Sequence, residues 1–386
     1  MRIILCVCGL WVFGNSAAAA PFLPQDDEQV LQRLPSPAIE RQLRQRTMAR
    51  DPADLQQAVE LAWTWLRLGR AQADPRYYGY AEAVLEAWWS DAEHWPEILL
   101  LRATLRQNRH DFKGALADLA LVLKQQPRNA QAWLTRSVIL SVLGEPQAAF
   151  SSCQPLLRLS SALLAASCLG NALSLSGQNE RAYQLLEQTW SAHPESDVAE
   201  QLWALTLLAE IALRQDQVVL AEQHFQAALS LPERDSYWLG MYADFLLDQE
   251  RFEEVQALLD SDTRIDALLL RLALAEQQLN PARGALLAKQ FEARLDALRQ
   301  RGEISHLGDS ARFLLELRQQ PEQALHLAQA NWVQQRDPTA ARWLLASAIA
   351  ADNPQAGAPV LHWLQRTGLR DARLQTLVQQ LQDMTG

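Results

Sequence analysis

The seven histidines of the chain, His94, His110, His193, His224, His306, His326 and His362, never come within a helical turn of one another. A zinc hydrolase needs His-Glu-x-x-His or a comparable pair on one face, so this spacing holds no metal. The cysteines form no Cys-x-x-Cys, and no Gly-x-Ser-x-Gly elbow, Gly-x-Gly-x-x-Gly turn or Walker loop is present. The sequence therefore predicts no catalytic residue, no metal ligand and no cofactor, and the protein reads as a non-enzyme. The alternative is an enzyme-associated module or a hydrolase acting on peptidoglycan. That would need a separate domain with a catalytic glutamate, whereas every segment here reads as part of a helix hairpin.

The chemistry that remains is a thiol pair. Cys153 and Cys168 fall at the middle of two consecutive helices whose connecting turn lies near Ser160 and Ser161, so they face each other across an antiparallel pair. A bridge forms if both point inward, and two buried thiols acting as small hydrophobes result if they do not. The compartment favours oxidation. Residues 1–19 read as a cleaved secretory leader: Arg2, an apolar run from Ile3 to Phe13, then small residues with Ala17 and Ala19 at the -3 and -1 positions of a cut after Ala19. The run is too short for a bilayer span, which needs about 20 residues. Cys6 and Cys8 lie inside it rather than at a lipidation site. The mature chain is expected in the periplasm with no membrane span, where a disulfide persists.

Composition points to the elements that must carry any site. Glycine and proline number 15 and 17, too few for a turn-rich barrel or sandwich, and Ala, Leu, Gln, Glu and Arg dominate. A net charge of -10 and a pI near 5.3 exclude a phosphate-tracking surface, so no nucleic acid partner is expected.

A period organises these helices. Trp133, Ser137, Leu140, Gly144, Ala149 and Cys153 outline a helix, turn and helix. Alanine recurs at Ala115, Ala149, Ala182 and Ala221, with Leu119, Cys153, Leu186 and Phe225 four residues later and Ala103, Ser137, Gly170 and Ala209 in the preceding helices. Small residues let helix axes approach to about 8–10 Å, and bulky neighbours fill the grooves. This pattern resembles the tetratricopeptide repeat (TPR). Earlier, Ala58, Ala62, Trp65, Ala81 and Leu85 read as a repeat with a long loop over 70–76. Later, Trp238, Tyr242, Phe245 and Leu258 make another, and Ala324, Ala346 and Ala358 restore the phase. The stretch Phe313, Leu317, Pro321, Ala324, Leu327, Asn331, Trp332, Gln335, Asp337, Pro338 and Arg342 is similar to the C-terminal part of exported bacterial TPR-like proteins.

The resemblance implies an all-α, right-handed superhelical solenoid of stacked antiparallel hairpins. Its parts are a leader (1–19), an N-terminal helical arm (20–50), regular repeats (51–263), less regular repeats (264–370) and a polar capping helix (371–386). It also implies a concave surface lined by the first helix of each hairpin. The expected lining is Leu100, Thr104 and Gln107, then Gln131, Leu134, Val138 and Ser141, then Ser167, Asn171 and Ser174. Such mixed lining suits a peptide or protein partner, with amides for its backbone and shallow apolar contacts. No basic neighbours accompany Asn171, so a carboxylate-gripping clamp is not expected. Trp88, Trp89 and Trp95 read as core, and Arg294, Arg299 and Arg301 with Glu292, Asp296 and Glu303 as a solvated helix face.

Overall fold

The computed structural model describes residues 37–51, 53–300 and 307–384; the leader and most of the N-terminal arm lie outside them. After α1 (Pro37–Ala49) the described residues form nine helix pairs. They are α2 (Leu55–Gln72) with α3 (Arg76–Trp89), α4 (Pro96–Asn108) with α5 (Phe112–Gln125), and α6 (Ala130–Val142) with α7 (Pro146–Cys153). Next come α8 (Ala162–Leu175) with α9 (Asn179–Ala192), α10 (Val198–Arg214) with α11 (Val218–Leu229), and α12 (Ser236–Asp248) with α13 (Phe252–Leu259). The last are α14 (Asp266–Leu279) with α15 (Pro281–Gln300), α16 (Leu307–Glu316) with α17 (Pro321–Gln334), and α18 (Pro338–Ala350) with α19 (Ala358–Thr367), followed by α20 (Ala372–Asp383). No strand occurs among the described residues. Each first helix packs on its own partner and on the first helix of the next pair, so the even-numbered helices form a continuous inner row.

Local chemistry starts and stops these helices. Asp54, Asp111, Asn129, Ser161, Asp235 and Asp337 cap α2, α5, α6, α8, α12 and α18 by accepting a first-turn amide. Inside eight of the nine pairs one turn residue takes a positive φ: Ala73, His110, Gly144, Gly177, Asp216, Glu250, Gln319 and Asp352. At seven of these turns the amide after the left-handed residue bonds back five residues, as from Asp111 to Arg106, Glu145 to Leu140 and Gln217 to Ala212, and after Gln319 it bonds back six, from Gln320 to Leu314, which satisfies the helix's last carbonyls. Only Gly144 and Gly177 were legible as turns in the sequence. The others hold a non-glycine residue in a conformation that costs about 1 kcal/mol, offset by the repeated bond.

The repeat slots are filled as the period requires. Ala115, Ala149, Ala182, Ala221 and Ala324 are fully buried, as are Leu119, Cys153, Leu186 and Phe225. Three local expectations change. Ala358 is exposed and Ala346 only half-buried, and the tight positions there are Gly357, packed on Leu345 and Leu381, and Ser347. A short 3-10 turn over Pro354–Gly357 leads into α19 and places Gly357 at the contact. The loop expected over 70–76 is mostly helix, since α2 runs to Gln72. Arg294 belongs to no solvated face: it is buried and bonds Asp266 and the Arg264 carbonyl, while Glu292 pairs with Arg318 of the next hairpin.

The apolar interior is segmented. One core runs from Leu43 and Trp65 through Leu85 and Leu101 to Ile139, and a second from Leu163 through Leu208, Trp238 and Phe291 to Ala324. A third holds Trp332, Leu344, Trp363, Leu374 and Leu381 of the C-terminal helices. Cys153 and Cys168 are joined by a disulfide between α7 and α8, with Cα atoms 5.6 Å apart and both residues buried.

Candidate partner-binding surface

The ten residues expected to line the concave face separate into two sets. Gln131 is exposed, and Gln107, Leu134, Val138 and Asn171 are half-buried, so α4, α6 and α8 present a mixed polar and apolar strip to solvent. Leu100, Thr104, Ser141, Ser167 and Ser174 are buried. The Thr104 hydroxyl donates to the Leu100 carbonyl, and Ser174 belongs to an internal polar network, so neither is open to a partner. These positions are closed to solvent. Trp88 and Trp89 pack on the first core as expected, whereas Trp95 stays 39% exposed.

Beyond α8 the inner row is lined with charge. Asp244 of α12 accepts from Arg271 of α14 at 2.6 Å and from Arg312 of α16. Burial works against its charge, but the two guanidiniums prevail and hold the carboxyl at about 2. Arg312 also bonds Glu316, and its guanidinium lies 4.6 Å from the Trp343 ring. Arg342 approaches the same ring to 5.0 Å while bonding both oxygens of Asp248, at 2.6 and 2.7 Å. The sequence carried a faint signal for this network: Glu210 and Arg214, and Arg312 and Glu316, are charged pairs four apart within apolar runs.

Across the inner row lies the chain's own C-terminal end. The Arg336 amide, between α17 and α18, donates to the Val142 carbonyl at the end of α6. Trp363 Nε1 and Arg366 of α19 both donate to the Gly144 carbonyl, at 3.4 and 2.8 Å, and Arg366 pairs with Glu145. Asn179, at the start of α9, donates to the Arg370 carbonyl at 2.9 Å and accepts from the Ser174 hydroxyl. Arg214, buried at the end of α10, donates to Ser174 and Glu210, and its Nε lies 4.0 Å from Asp371 without a hydrogen bond. Burial opposes the charge of Asp371, but Arg373 and Arg214 overcome it and keep that carboxyl below its usual range. Helix α20, expected as an outward cap, buries Leu374 and Leu381 and reaches α10. A cleft of about 640 Å³ remains at this seam, lined in part by Gln178, Asn179, Arg181, Arg214, Arg370 and Gln375.

No group of three or more His, Cys, Asp or Glu side chains among the described residues is placed to hold a metal. No described helix is long and apolar enough to cross a membrane.

No family model matches the sequence, and no curated protein matches it. Among solved structures, the chain is similar to the APC/C hetero-tetramer Cut9-Hcn1, with a TM-score of 0.50 and 12% identity, over 87% of this chain and 65% of that one. The chain thus spans less than two thirds of that structure's length. It is also similar to Pseudomonas aeruginosa pilF (TM-score 0.38, 17% identity, 54% of this chain and 97% of that one). A tetratricopeptide repeat protein from Parabacteroides merdae gives a TM-score of 0.43 and 17% identity, over 66% of this chain and 91% of that one. At such identities likeness concerns the fold, and the fold is an all-α, TPR-like helical solenoid.

Proposed function

We propose that the protein is a non-catalytic, exported scaffold that holds a peptide or protein partner on the inner face of its solenoid, within a cell-envelope assembly, secretion or maturation system. One observation carries the reading: the inner helices α4, α6 and α8 present Gln107, Gln131, Leu134, Val138 and Asn171 as an accessible strip on a frame of nine stacked hairpins. Amides can bond a partner's backbone while Leu134 and Val138 supply apolar contact. Location in the periplasm is supported by the leader-like residues 1–19 and by the Cys153–Cys168 disulfide, which an oxidising compartment maintains. The TPR-like fold supports a role in holding other proteins.

The test compares two incubations of the purified protein. Against envelope proteins, it should retain a specific partner that a Leu134→Asp, Val138→Asp variant releases while folding normally. Against peptidoglycan, it should free no soluble fragments. Fragment release without any retained partner would overturn the reading.

A further inference from the structure

We infer that the last hairpin and α20 form a displaceable latch, which covers the inner ends of α6, α8, α10 and α12 and must swing away before a partner reaches them. The inference rests on the scaffold reading above and concerns regulation of that same inner face.

The contact is unlike the packing elsewhere in the solenoid. Most successive hairpins share an apolar core, and the last hairpin and α20 are joined in this way to α16 and α17, which serve as the latch's base. Across the seam, among the described residues, Leu175 is the one buried apolar side chain of the middle hairpins that joins the C-terminal core. The remainder is polar: Arg336 to Val142, Trp363 and Arg366 to Gly144, Arg366 to Glu145, Asn179 to Arg370, Arg342 to Asp248 and Arg214 beside Asp371. Bonds of this kind direct a surface more than they stabilise it. Exposed ion pairs contribute about 0–1 kcal/mol, and a buried pair loses much of its attraction to desolvation. The seam is also incompletely filled, since the cleft beside Gly177 opens along it and the Arg214 Nε has no hydrogen bond.

The turn glycines record how closely the latch approaches. Eight hairpin turns adopt the left-handed conformation, yet glycine occupies it only at Gly144 and Gly177, the two whose left-handed residue lies against the backbone of the C-terminal end. A Cβ at Gly177 would run into the Gly368 carbonyl oxygen, and one at Gly144 would lie 2.9 Å from the Arg336 carbonyl oxygen. Turns away from the seam accept Ala73 or His110 in the same conformation. Backbone geometry alone therefore does not demand glycine at 144 and 177, and close approach of the latch does.

This separation supplies the test. Asparagine tolerates the left-handed conformation, so Gly144→Asn and Gly177→Asn add a Cβ at the seam with little backbone strain. His110→Asn makes the same change away from it. Hydrogen exchange measured by mass spectrometry on the full chain should quicken by about tenfold in segments 335–337, 366–371 and 174–179 of either glycine variant, with α2 and α3 unchanged and the His110→Asn protein like wild type at these segments. Raising salt to about 1 M should quicken the same segments in the wild type, because ion pairs at the seam are screened. Unchanged exchange at the seam in the glycine variants and in high salt would overturn the latch. A photo-reactive residue at Gln178, on the exposed rim of the cleft, then reads arrival of a partner at the seam. More adduct with a discrete envelope protein in Gly144→Asn than in wild type supports gating. Faster exchange with no gain at position 178, while a probe at Gln131 captures the partner in both proteins, overturns gating and leaves the scaffold. Absence of adduct at both positions refutes the scaffold and leaves the latch to be decided by exchange alone.

Discussion

At the residue scale, His224 on α11 shows how burial turns a titratable group into a sensor of stability. Its ring lies between Tyr183 and Trp190 of α9, with Nε2 2.7 Å from the Tyr183 hydroxyl, and burial depresses it from 6.5 to about 4. A folded value below the unfolded one means that the unfolded chain binds the proton first. Stability should therefore be full above pH 6.5 and fall as pH drops toward 4, by up to about 3 kcal/mol at the lower end. Thermal melts of wild type and His224→Gln across pH 4–7 check this: the variant should show a flatter profile, and parallel profiles would contradict it. The thiols make a second case. With Cys6 and Cys8 replaced by serine, denatured and unreduced protein should titrate no free thiol. Reduction should lower stability by about 3 kcal/mol, as expected for a loop of 15 residues. Two titratable thiols would exclude the bridge. The facing of Cys153 and Cys168 followed from the turn near Ser160. Their orientation did not, because local spacing leaves the direction of Cys168 open.

At the element scale, the hairpin contacts are set by small residues whose volume cannot grow. Ala149→Leu and Ala182→Leu should each cost roughly 1–3 kcal/mol, since both sites are closed on every side. Ala358→Leu should leave the melting temperature nearly unchanged, because Ala358 is exposed. Equal effects at all three positions would show the register to be misplaced. The period was legible because Ala115, Ala149, Ala182 and Ala221 are demanded by helix contact. The turns were less so: His110, Asp216 and Glu250 adopt their conformation through the bond five residues back, which their side chains do not announce. Register slipped at Ala358 because the 3-10 turn that precedes it has no counterpart in the earlier hairpins.

At the scale of the whole molecule, the solenoid architecture could be read from spacing, whereas its meeting with itself could not. Trp363 and Gly144 are 219 residues apart, and nothing in the repeat pattern says which turns the C-terminal helices will reach. The same gap explains the candidate site. The resemblance implies which residues of α4, α6 and α8 line a concave face, but it says nothing of how tightly each is packed, and Leu100, Thr104, Ser141, Ser167 and Ser174 are buried. Gln107, Gln131, Leu134, Val138 and Asn171 survive as the accessible strip. The most direct measurement of the account places a photo-reactive residue at Gln131 or Val138 on the inner row, and at Gln184 on the outer helix α9, in cells making the full chain. The account predicts a discrete protein adduct from the inner positions and none from Gln184. Adducts from Gln184 alone, or equal labelling at all three, would contradict an inner-face scaffold.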